Sequence, residues 1–440
     1  MTRAWFAGLC AAACLTLAAA PQQPKPQAPP QKTQVEVELE AKKGGRLGIA
    51  LAPPTLAGLA EDLVAKDFRS PLSRDLEEAG PFALITGVLP GSTDAASYPA
   101  WARLATDWLF TSKVAKGDGD EVVVEIQVVD VKAGKPVFSK RYIGKEGQLR
   151  RIAHTISDDL VARLTGEKGV ASTRIVFVRQ TSPGVKEIFQ VDRDGAGLLQ
   201  LTRWGSLTLS PTVAPDGRLA YITYKGGTPE IWGERRRGQA HQKLYPSTTS
   251  PQGHCYSPVW SPDGKRLAFV QGDRKGNSDI MILDVDSGRV KRLTDGGCIN
   301  TEPSWNPNGT QIAFTSDREG NPQVYLMEED GSNVRRLTFE GGYNASPAWS
   351  PNGAMVAYVS RFEGKFDLFV HKLGEGKAYQ ITTGIFSSEG PAWSPDERRL
   401  VFASTRSGNM QLWTTDLSGK SLSKLTELFG CQSPKWTRSR

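Results

Sequence analysis

Histidine is the side chain best suited to acid–base and metal chemistry near neutral pH, and this chain has few. The sequence of 440 residues contains 4 histidines, namely His154, His241, His254 and His371. It has neither a Gly-x-Ser-x-Gly nucleophile motif nor a His-Glu-x-x-His zinc motif. His154 lies beside core positions of an amphipathic helix, which indicates a structural role. We therefore expect no catalytic residue, no metal ligand and no cofactor.

Two other patterns resemble ion or polyanion sites. Asp192-Arg193-Asp194-Gly195 resembles the start of a calcium loop, but the EF-hand ligand series does not follow, so a β-turn is the better interpretation. A weakly held ion in a central channel stays open as an alternative. Arg235-Arg236-Arg237 and the net charge of +7 would suit nucleic acid, yet no aromatic residues interleave the run. We predict a solvated turn there and no nucleic-acid partner.

Residues 1–20 have the pattern of a secretion signal: Arg3, then an apolar run from Trp5 to Ala20 that ends in small residues. Plain cleavage is the favoured interpretation, and lipidation at Cys14, which would leave a lipid anchor, is the alternative. Residues 21–34 are rich in Pro and Gln and predict an extended linker. No other segment is long and apolar enough to span a membrane.

Cys255, Cys298 and Cys431 are the cysteines beyond the signal, and an odd number cannot form a complete disulfide framework. Cys255 and Cys298 fall in neighbouring repeats. A disulfide between them stays open, because an oxidising compartment would allow it.

Residues 35–168 interleave strands and helices, which predicts an α/β domain with helices against a mixed sheet. Apolar and acidic residues alternate over Val35–Glu40, which is typical of a strand with one solvent-exposed face. Ser70 and Pro71 predict the N-cap and first turn of a helix that ends at Ala79. A closing helix has an apolar stripe from Leu149 to Leu164 and a stop at Gly166.

Residues 169–440 contain a proline-led landmark six times, as in Ser257-Pro258-Val259-Trp260-Ser261-Pro262-Asp263-Gly264. The leading prolines, 43 to 47 residues apart, are Pro211, Pro258, Pro303, Pro347, Pro391 and Pro434. That period is typical of a four-stranded propeller blade, so the repeat predicts a six-bladed β-propeller. A short fourth strand is expected to carry a Leu-Thr or Ile-Thr pair.

The phase of the repeat predicts how the ring closes. The domain opens at Arg174–Val178, which matches the second strand of a blade, and ends at Trp436, which matches the first. One blade must then be completed by both ends of the domain. Tryptophan recurs in five landmarks and is expected to pack between blades. Ala214 is interpreted as its replacement in the first repeat, where the interface should be looser or filled by another residue.

The segments 164–169 and 173–175, and Asn300–Trp305 continuing to Ala313–Asp317, resemble the TolB family, periplasmic components of the Tol–Pal envelope system. The resemblance runs from about Val35 to Trp436. It implies a non-enzymatic protein that binds the Pal lipoprotein through one propeller face. It also implies that the extended N-terminus binds TolA, which here would involve Val35, Glu36, Val37, Glu38 and Leu39.

The loops before the leading prolines should surround one mouth of the channel, with aromatic residues among small polar ones, as protein-binding surfaces have. The candidate rim residues are His254, Tyr256, Ser257, Thr301, Glu302, Tyr343, Ser346 and Glu389. The resemblance implies Pal binding at His254, Ser257, Thr301 and Glu302. The alternative is that these loops only cap the channel through mutual hydrogen bonds.

These observations together predict a monomeric periplasmic scaffold that reaches membranes only through its partners. The resemblance implies that it supports outer-membrane integrity and constriction during cell division. A periplasmic propeller enzyme, a hydrolase or lyase acting on sugar or peptide, is the alternative from another functional class.

Overall fold

The computed structural model describes residues 45–437, except 87–88, 247–253, 296 and 363. The predicted signal, the Pro-rich linker and the Val35–Glu40 strand lie outside the described residues. The contacts between residues divide the chain into two units between Thr173 and Arg174, shortly after the domain boundary that the sequence predicts at residue 168.

The first unit is built on a mixed sheet of six strands. They are β1 (Leu47–Leu51), β2 (Thr55–Ala57), β3 (Phe82–Ile85), β4 (Trp108–Lys116), β5 (Glu121–Asp130) and β6 (Lys135–Lys145). The order is β3-β1-β4-β5-β6, and β2 also pairs with β4. β1 runs parallel to β3 and β4, whereas β4, β5 and β6 form an antiparallel meander. The predicted α/β class is confirmed.

Helical residues run without a break from Glu61 to Ala79, as α1 (Glu61–Val64), a π-helical turn (Ala65–Arg69) and α2 (Ser70–Ala79). Ser70 has φ −63° and ψ −46°, so it lies inside the helix, and its predicted N-cap role is wrong. The helix starts earlier because Val64 and Phe68 continue its apolar face and are buried in the core. Tertiary burial here overrides a local capping signal.

The remaining helices are α3 (Tyr98–Arg103) and α4 (Leu149–Thr165). Gly166 ends α4 with φ 75°, the left-handed conformation that the sequence predicts for the stop. His154 of α4 and Asp75 of α2 are both buried, with 2.6 Å between His154 Nδ1 and Asp75 Oδ2. This bond joins the two helices, so the structural role expected for His154 is confirmed.

The second unit is a ring of six four-stranded antiparallel sheets, as predicted. Its strands are β7 (Arg174–Ser182), β8 (Val185–Asp192), β9 (Leu199–Gln200), β10 (Thr208–Val213), β11 (Leu219–Thr223), β12 (Glu230–Gly233), β13 (Gln242–Tyr245), β14 (His254–Trp260), β15 (Arg266–Gly272), β16 (Ser278–Asp284), β17 (Val290–Arg292), β18 (Asn300–Trp305), β19 (Gln311–Ser316), β20 (Gln323–Glu328), β21 (Arg335–Arg336), β22 (Asn344–Trp349), β23 (Met355–Phe362), β24 (Lys365–Lys372), β25 (Lys377–Gln380), β26 (Ser388–Trp393), β27 (Arg399–Ser404), β28 (Gln411–Asp416), β29 (Ser423–Lys424) and β30 (Cys431–Trp436).

We number the blades from the closing sheet. Blade 1 has the order β30-β7-β8-β9, and blades 2 to 6 are the sheets β10–β13, β14–β17, β18–β21, β22–β25 and β26–β29. The first strand of every blade is an edge strand. The leading proline of each landmark lies in this strand, where its missing N–H group costs no hydrogen bond of the sheet interior.

The Leu-Thr and Ile-Thr pairs follow the fourth strands instead of lying inside them, which corrects their predicted place. Their threonine hydroxyls connect the fourth and third strands. Thr338, for example, accepts a hydrogen bond from Val324 N at 3.0 Å and donates one to Gln323 Oε1 at 2.7 Å. Thr294 and Thr382 make the same pair of bonds with Asp279 and Asp367 of their third strands and with the residues that follow these aspartates. The pair therefore anchors the outer edge of a blade.

Six separate apolar clusters hold the ring, and each contains residues from two neighbouring blades. Trp260, Trp305, Trp349 and Trp393 are between 4% and 9% exposed within these clusters, which confirms packing between blades. Each buries roughly 150–250 Å² of mostly apolar surface.

The assignment of Ala214 to the tryptophan position is wrong. Val213 pairs with Leu219 as Trp260 pairs with Leu267, so Val213 holds that position. The interface of blades 1 and 2 is filled instead by Trp204 and Trp232, whose ring centroids are 5.6 Å apart.

Strands from both ends of the second unit complete blade 1. β30 pairs antiparallel with β7, with Cys431 opposite Arg179 and Trp436 opposite Ile175. Two further bonds continue the pairing: Thr437 N donates to Arg174 O at 2.8 Å, and Arg174 N donates to Thr437 Oγ1 at 2.9 Å. The predicted closure is confirmed.

Deleting Ser433–Arg440 removes most of β30 and leaves an open edge on β7. We expect the propeller to lose its single cooperative thermal transition in differential scanning calorimetry, because two blade interfaces lose packing at once. A chain that ends at Thr437 keeps every bond named above and should melt as the full chain does. An unchanged transition in the shorter chain would show that the β30–β7 pairing does not hold the ring.

Candidate functional site

The candidate site residues all lie at one edge of the propeller. Because the four strands of a blade form an antiparallel meander, their ends alternate between two edges of the ring. At one edge the first and third strands start and the second and fourth strands end. We call it the rim edge, and the opposite edge, where first strands end, the far edge. All eight candidate residues lie in first strands or directly before them, so the rim edge contains the whole predicted set.

A β-bulge recurs in the first strand of every blade. The register shifts directly around each leading proline. The residue before the proline has a positive φ in every case, at Ser210, Ser257, Glu302, Ser346, Gly390 and Ser433. A side chain in this conformation costs roughly 1–2 kcal/mol relative to ordinary backbone. Three candidates, Ser257, Glu302 and Ser346, therefore hold a strained and structurally repeated position.

Glu302 is bound to its own blade and to the next one. Its Oε2 accepts hydrogen bonds from Thr315 Oγ1 at 3.0 Å and from Ser346 N at 2.7 Å. Its Oε1 accepts one from Ser346 Oγ at 2.7 Å. Glu302 and Ser346 thus form one unit that joins the bulges of blades 4 and 5, so the capping role that the sequence left open is present for this pair.

Glu389 and Lys435 complete a charged set with Glu302. Burial raises the pKa of the Glu389 carboxyl above its usual range, and the negative charge of Glu302 adds to this effect. Burial lowers the pKa of the Lys435 ammonium, while Glu302 acts in the opposite direction. The Lys435 ammonium group is desolvated by the surrounding protein, while the residue as a whole is half-buried. The charge of Glu302 in blade 4 thus acts on first-strand residues of blades 6 and 1.

Lys435 was not among the predicted site residues, although the repeat contains a signal for it. In the other five landmarks the residue after the leading proline is Thr, Val, Ser, Ala or Ala, and only the last landmark has a charged one. A single charge at a position that is otherwise small or apolar is a reasonable marker of a specific role.

The aromatic candidates are separate from this charged set. His254 is exposed at the start of β14 and its ring stacks on Tyr256, with centroids 6.3 Å apart. Tyr343 is half-buried and meets the Phe366 ring edge-on at 5.6 Å. Thr301 is half-buried opposite Thr315 in the register of blade 4.

Exposed apolar side chains are concentrated on the rim edge, and most of them were not predicted from the sequence. Ten large apolar residues are exposed in the described part of the chain, and five of them lie at the rim edge, four in loops and one at the end of β23. We call these five the apolar rim set: Ile299, Phe339, Phe362, Ile385 and Phe429, at 46%, 74%, 39%, 73% and 59% exposure. Exposed apolar patches on soluble proteins commonly mark binding surfaces.

All three described cysteines are free, so the disulfide that the sequence left open between Cys255 and Cys298 is not formed. Cys255 is buried and its thiol donates to Pro229 O at 3.1 Å. Burial raises the pKa of Cys255 to about 12. A thiol with such a pKa is rarely ionised and therefore unreactive at neutral pH.

Within residues 45–437, gaps aside, no group of three or more His, Cys, Asp or Glu side chains is placed to hold a metal ion. Over the same described residues, no helix has the length and apolar character needed to cross a membrane.

An α/β unit followed by a six-bladed ring that closes on its own last strand defines a two-domain β-propeller protein. The family model for the TolB beta propeller domain matches residues 161–440, and the model for the TolB amino-terminal domain matches residues 35–137. The chain belongs to the TolB family.

Individual relatives agree with this assignment. The crystal structure of TolB from Acinetobacter baumannii is 25% identical, covers 90% of this chain and 98% of that chain, and has a TM-score of 0.74. A TolB homolog from Chlorobium chlorochromatii is 37% identical over 45% of this chain. The Tol-Pal system protein TolB from Anaeromyxobacter dehalogenans is 33% identical over 67% of this chain. The matched stretches span 43% and 66% of the length of these two curated relatives.

We expect Glu389→Gln to raise the Tm at pH 8 and to change it little at pH 4. A carboxyl whose folded-state pKa is raised destabilises the fold as pH rises above the ordinary carboxyl range, and the amide removes that effect. The measurement is Tm by calorimetry across this range.

Glu375→Gln serves as the control of opposite sign. Hydrogen bonds from Lys372 and Tyr379 lower the pKa of Glu375, so its contribution to stability is present at pH 8 and lost in acid. Its loss should lower the Tm at pH 8. If Glu389→Gln behaved like Glu375→Gln, the electrostatic description of the charged set would be wrong.

Proposed function

We propose that this protein is a periplasmic, non-enzymatic component of the Tol–Pal system that binds the Pal lipoprotein through the rim edge of its propeller. We further propose that Val35–Leu39 binds TolA. In this role it would act as a monomer, support outer-membrane integrity and constriction during cell division, and reach the membrane through its partners. The family membership and the relative described as a Tol-Pal system protein support this assignment.

The single observation that carries the proposal is the placement of the apolar rim set. Five exposed side chains from blades 3 to 6 share one edge. Burying large apolar side chains such as these contributes roughly 1.5–3 kcal/mol each. A protein partner is the ligand class that can cover residues spread over four blades, because its interface buries about 800 Å² on each side.

The polar candidates suit the specificity of such an interface. Glu302 is held in one orientation by Ser346 and Thr315, so it requires little ordering when a partner binds. His254 and Tyr256 offer a stacked aromatic pair beside it in blade 3. A pre-ordered carboxylate, with an aromatic pair in the neighbouring blade, would receive an amide or cationic group of the partner.

We expect Phe339→Ser with Ile385→Ser to weaken Pal binding roughly tenfold or more, because residues at the centre of an interface account for most of the binding free energy. Purified Pal without its lipid and the mature protein would be titrated by isothermal calorimetry. His254→Ala is expected to weaken the same interaction less, because its stacked partner Tyr256 remains.

The control is Leu198→Ser with Leu199→Ser, which removes two exposed apolar residues outside the rim edge. It should bind Pal as the wild type does. Equal affinities for all variants, or an equal loss in both double variants, would exclude the rim edge as the Pal site.

The TolA part of the proposal is tested separately with a chain that begins at Arg46. We expect this chain to lose capture of the periplasmic part of TolA while keeping its calorimetric affinity for Pal, because the rim edge is intact. Retention of TolA by the shortened chain would place the TolA site elsewhere.

A further inference from the structure

The far edge has a basic pocket between blades 2 and 3 that the proposed function does not use. It is an open depression with a volume of about 360 Å³. Five cationic residues line it, together with three aspartates: Arg218, Arg235, Arg236, Arg237, Lys265, Asp216, Asp263 and Asp286. The volume lies within the range of about 300–1,000 Å³ that is typical of small-molecule sites.

Arg218 forms a rigid wall of this pocket. Its Nε donates to Asp216 Oδ2 and its Nη1 to Arg235 O, both at 2.7 Å, while its Nη2 donates to Gly264 O. The guanidinium also lies 4.6 Å from the Trp260 ring centroid. These contacts use three of the five N–H groups of an arginine and fix its plane.

Arg235 is held in a similar way. Its Nη1 donates to Val285 O across the blade interface, so its charge meets a neutral carbonyl and no carboxylate. Two guanidinium groups on this side of the pocket are therefore pre-positioned by main-chain oxygens. Planar, fixed guanidinium groups suit ligands with several equivalent oxygens.

Two of the three aspartates are occupied by the local turns. Asp216 binds Arg218, and Asp263 accepts hydrogen bonds from Ser261 Oγ at 2.5 Å and from Lys265 N at 2.9 Å. Burial would raise the pKa of Asp263, but these bonds and the charge of Arg266 lower it overall. These two carboxylates are therefore held by the turns of the fold, although the charge of Asp263 also acts on Lys265.

The remaining side chains leave an excess of positive charge. Arg236, Arg237 and Lys265 are exposed, and Asp286 is the carboxylate that remains to balance them and Arg235. The equivalent loop of blade 4 has the opposite character, with Glu328, Glu329 and Asp330. The basic character is thus local to this blade interface and is not a general property of the far edge.

We propose that this pocket binds a phosphate group, presented either as a free phosphate or as the headgroup of an anionic phospholipid. Tetrahedral oxyanions offer several acceptors at once, which matches a cluster of guanidinium and ammonium donors on two sides of one cavity. Arg236 and Arg237 approach from blade 2 and Lys265 from blade 3. The ligand would therefore also join the two blades.

The test uses the mature full-length protein at constant ionic strength, because screening alone changes the binding of anions. Inorganic phosphate is titrated by calorimetry in one arm. Vesicles of phosphatidylcholine, with and without phosphatidylglycerol, are sedimented with the protein in the other. We expect binding in at least one arm, and a loss of at least tenfold in affinity in Arg236→Ser with Arg237→Ser and, independently, in Lys265→Ser.

Arg274→Ser with Lys275→Ser is the matched control, since it removes the same two charges from an exposed rim-edge turn. It should bind phosphate or vesicles as the wild type does. Binding of phosphate in solution would identify a free ligand, and binding to anionic vesicles alone would identify a lipid headgroup. No binding in either arm, or an equal loss in the control, would overturn the proposal.

Discussion

The antiparallel pairing of β30 with β7 is the interaction on which the rest of the propeller depends. It joins residues more than 250 positions apart, since Arg174 N bonds Thr437 Oγ1. Without it, β7 would be an open sheet edge, and blades 6 and 2 would lose the contacts that β26 and β10 make with β30. A ring that is closed by strand pairing needs no disulfide to hold it, which is consistent with the three free cysteines of the described residues.

The closing strand also contributes to the site. β30 brings Lys435 into the electrostatic environment of Glu302, a residue of blade 4. Glu302 in turn bonds Ser346 of blade 5, so hydrogen bonds connect neighbouring blades while the charge of Glu302 also acts on blade 1. The same bulges that bend the first strands also orient these side chains. Architecture and candidate site therefore share one set of residues, and changes at Glu302 would affect both.

Much of the fold followed from local patterns. The propeller landmarks repeat a turn and a strand whose positions are fixed by Pro, Asp or Asn, and Gly, and α4 ends at Gly166 as the sequence predicts. Errors arose where tertiary packing decides, as at Ser70, where the buried faces of Val64 and Phe68 extend the helix upstream. The assignment of Ala214 was wrong although the sequence contains the answer, because Val213 stands two residues after its leading proline as Trp260 does. The pairing of Val213 with Leu219 agrees with this position.

The candidate site was less predictable for a different reason. In helices and strands the periodicity of apolar residues indicates which face is buried, but loops have no such periodicity. The sequence therefore does not show whether loop residues such as Phe339 and Ile385 are buried or exposed. The influence of Glu302 on Lys435 depends on ring closure, and the far-edge pocket depends on two turns from different blades meeting. Such contacts between distant segments are absent from any single stretch of sequence.

Hydrogen–deuterium exchange with and without Pal tests the central claim most directly, because it reports every loop of the closed ring at once. The account predicts slower exchange in the rim-edge loops around Ile299, Phe339 and Ile385 when Pal is bound, with the far-edge loop 234–241 unchanged. Protection confined to the far edge or to the α/β unit, with the rim-edge loops unaffected, would contradict it.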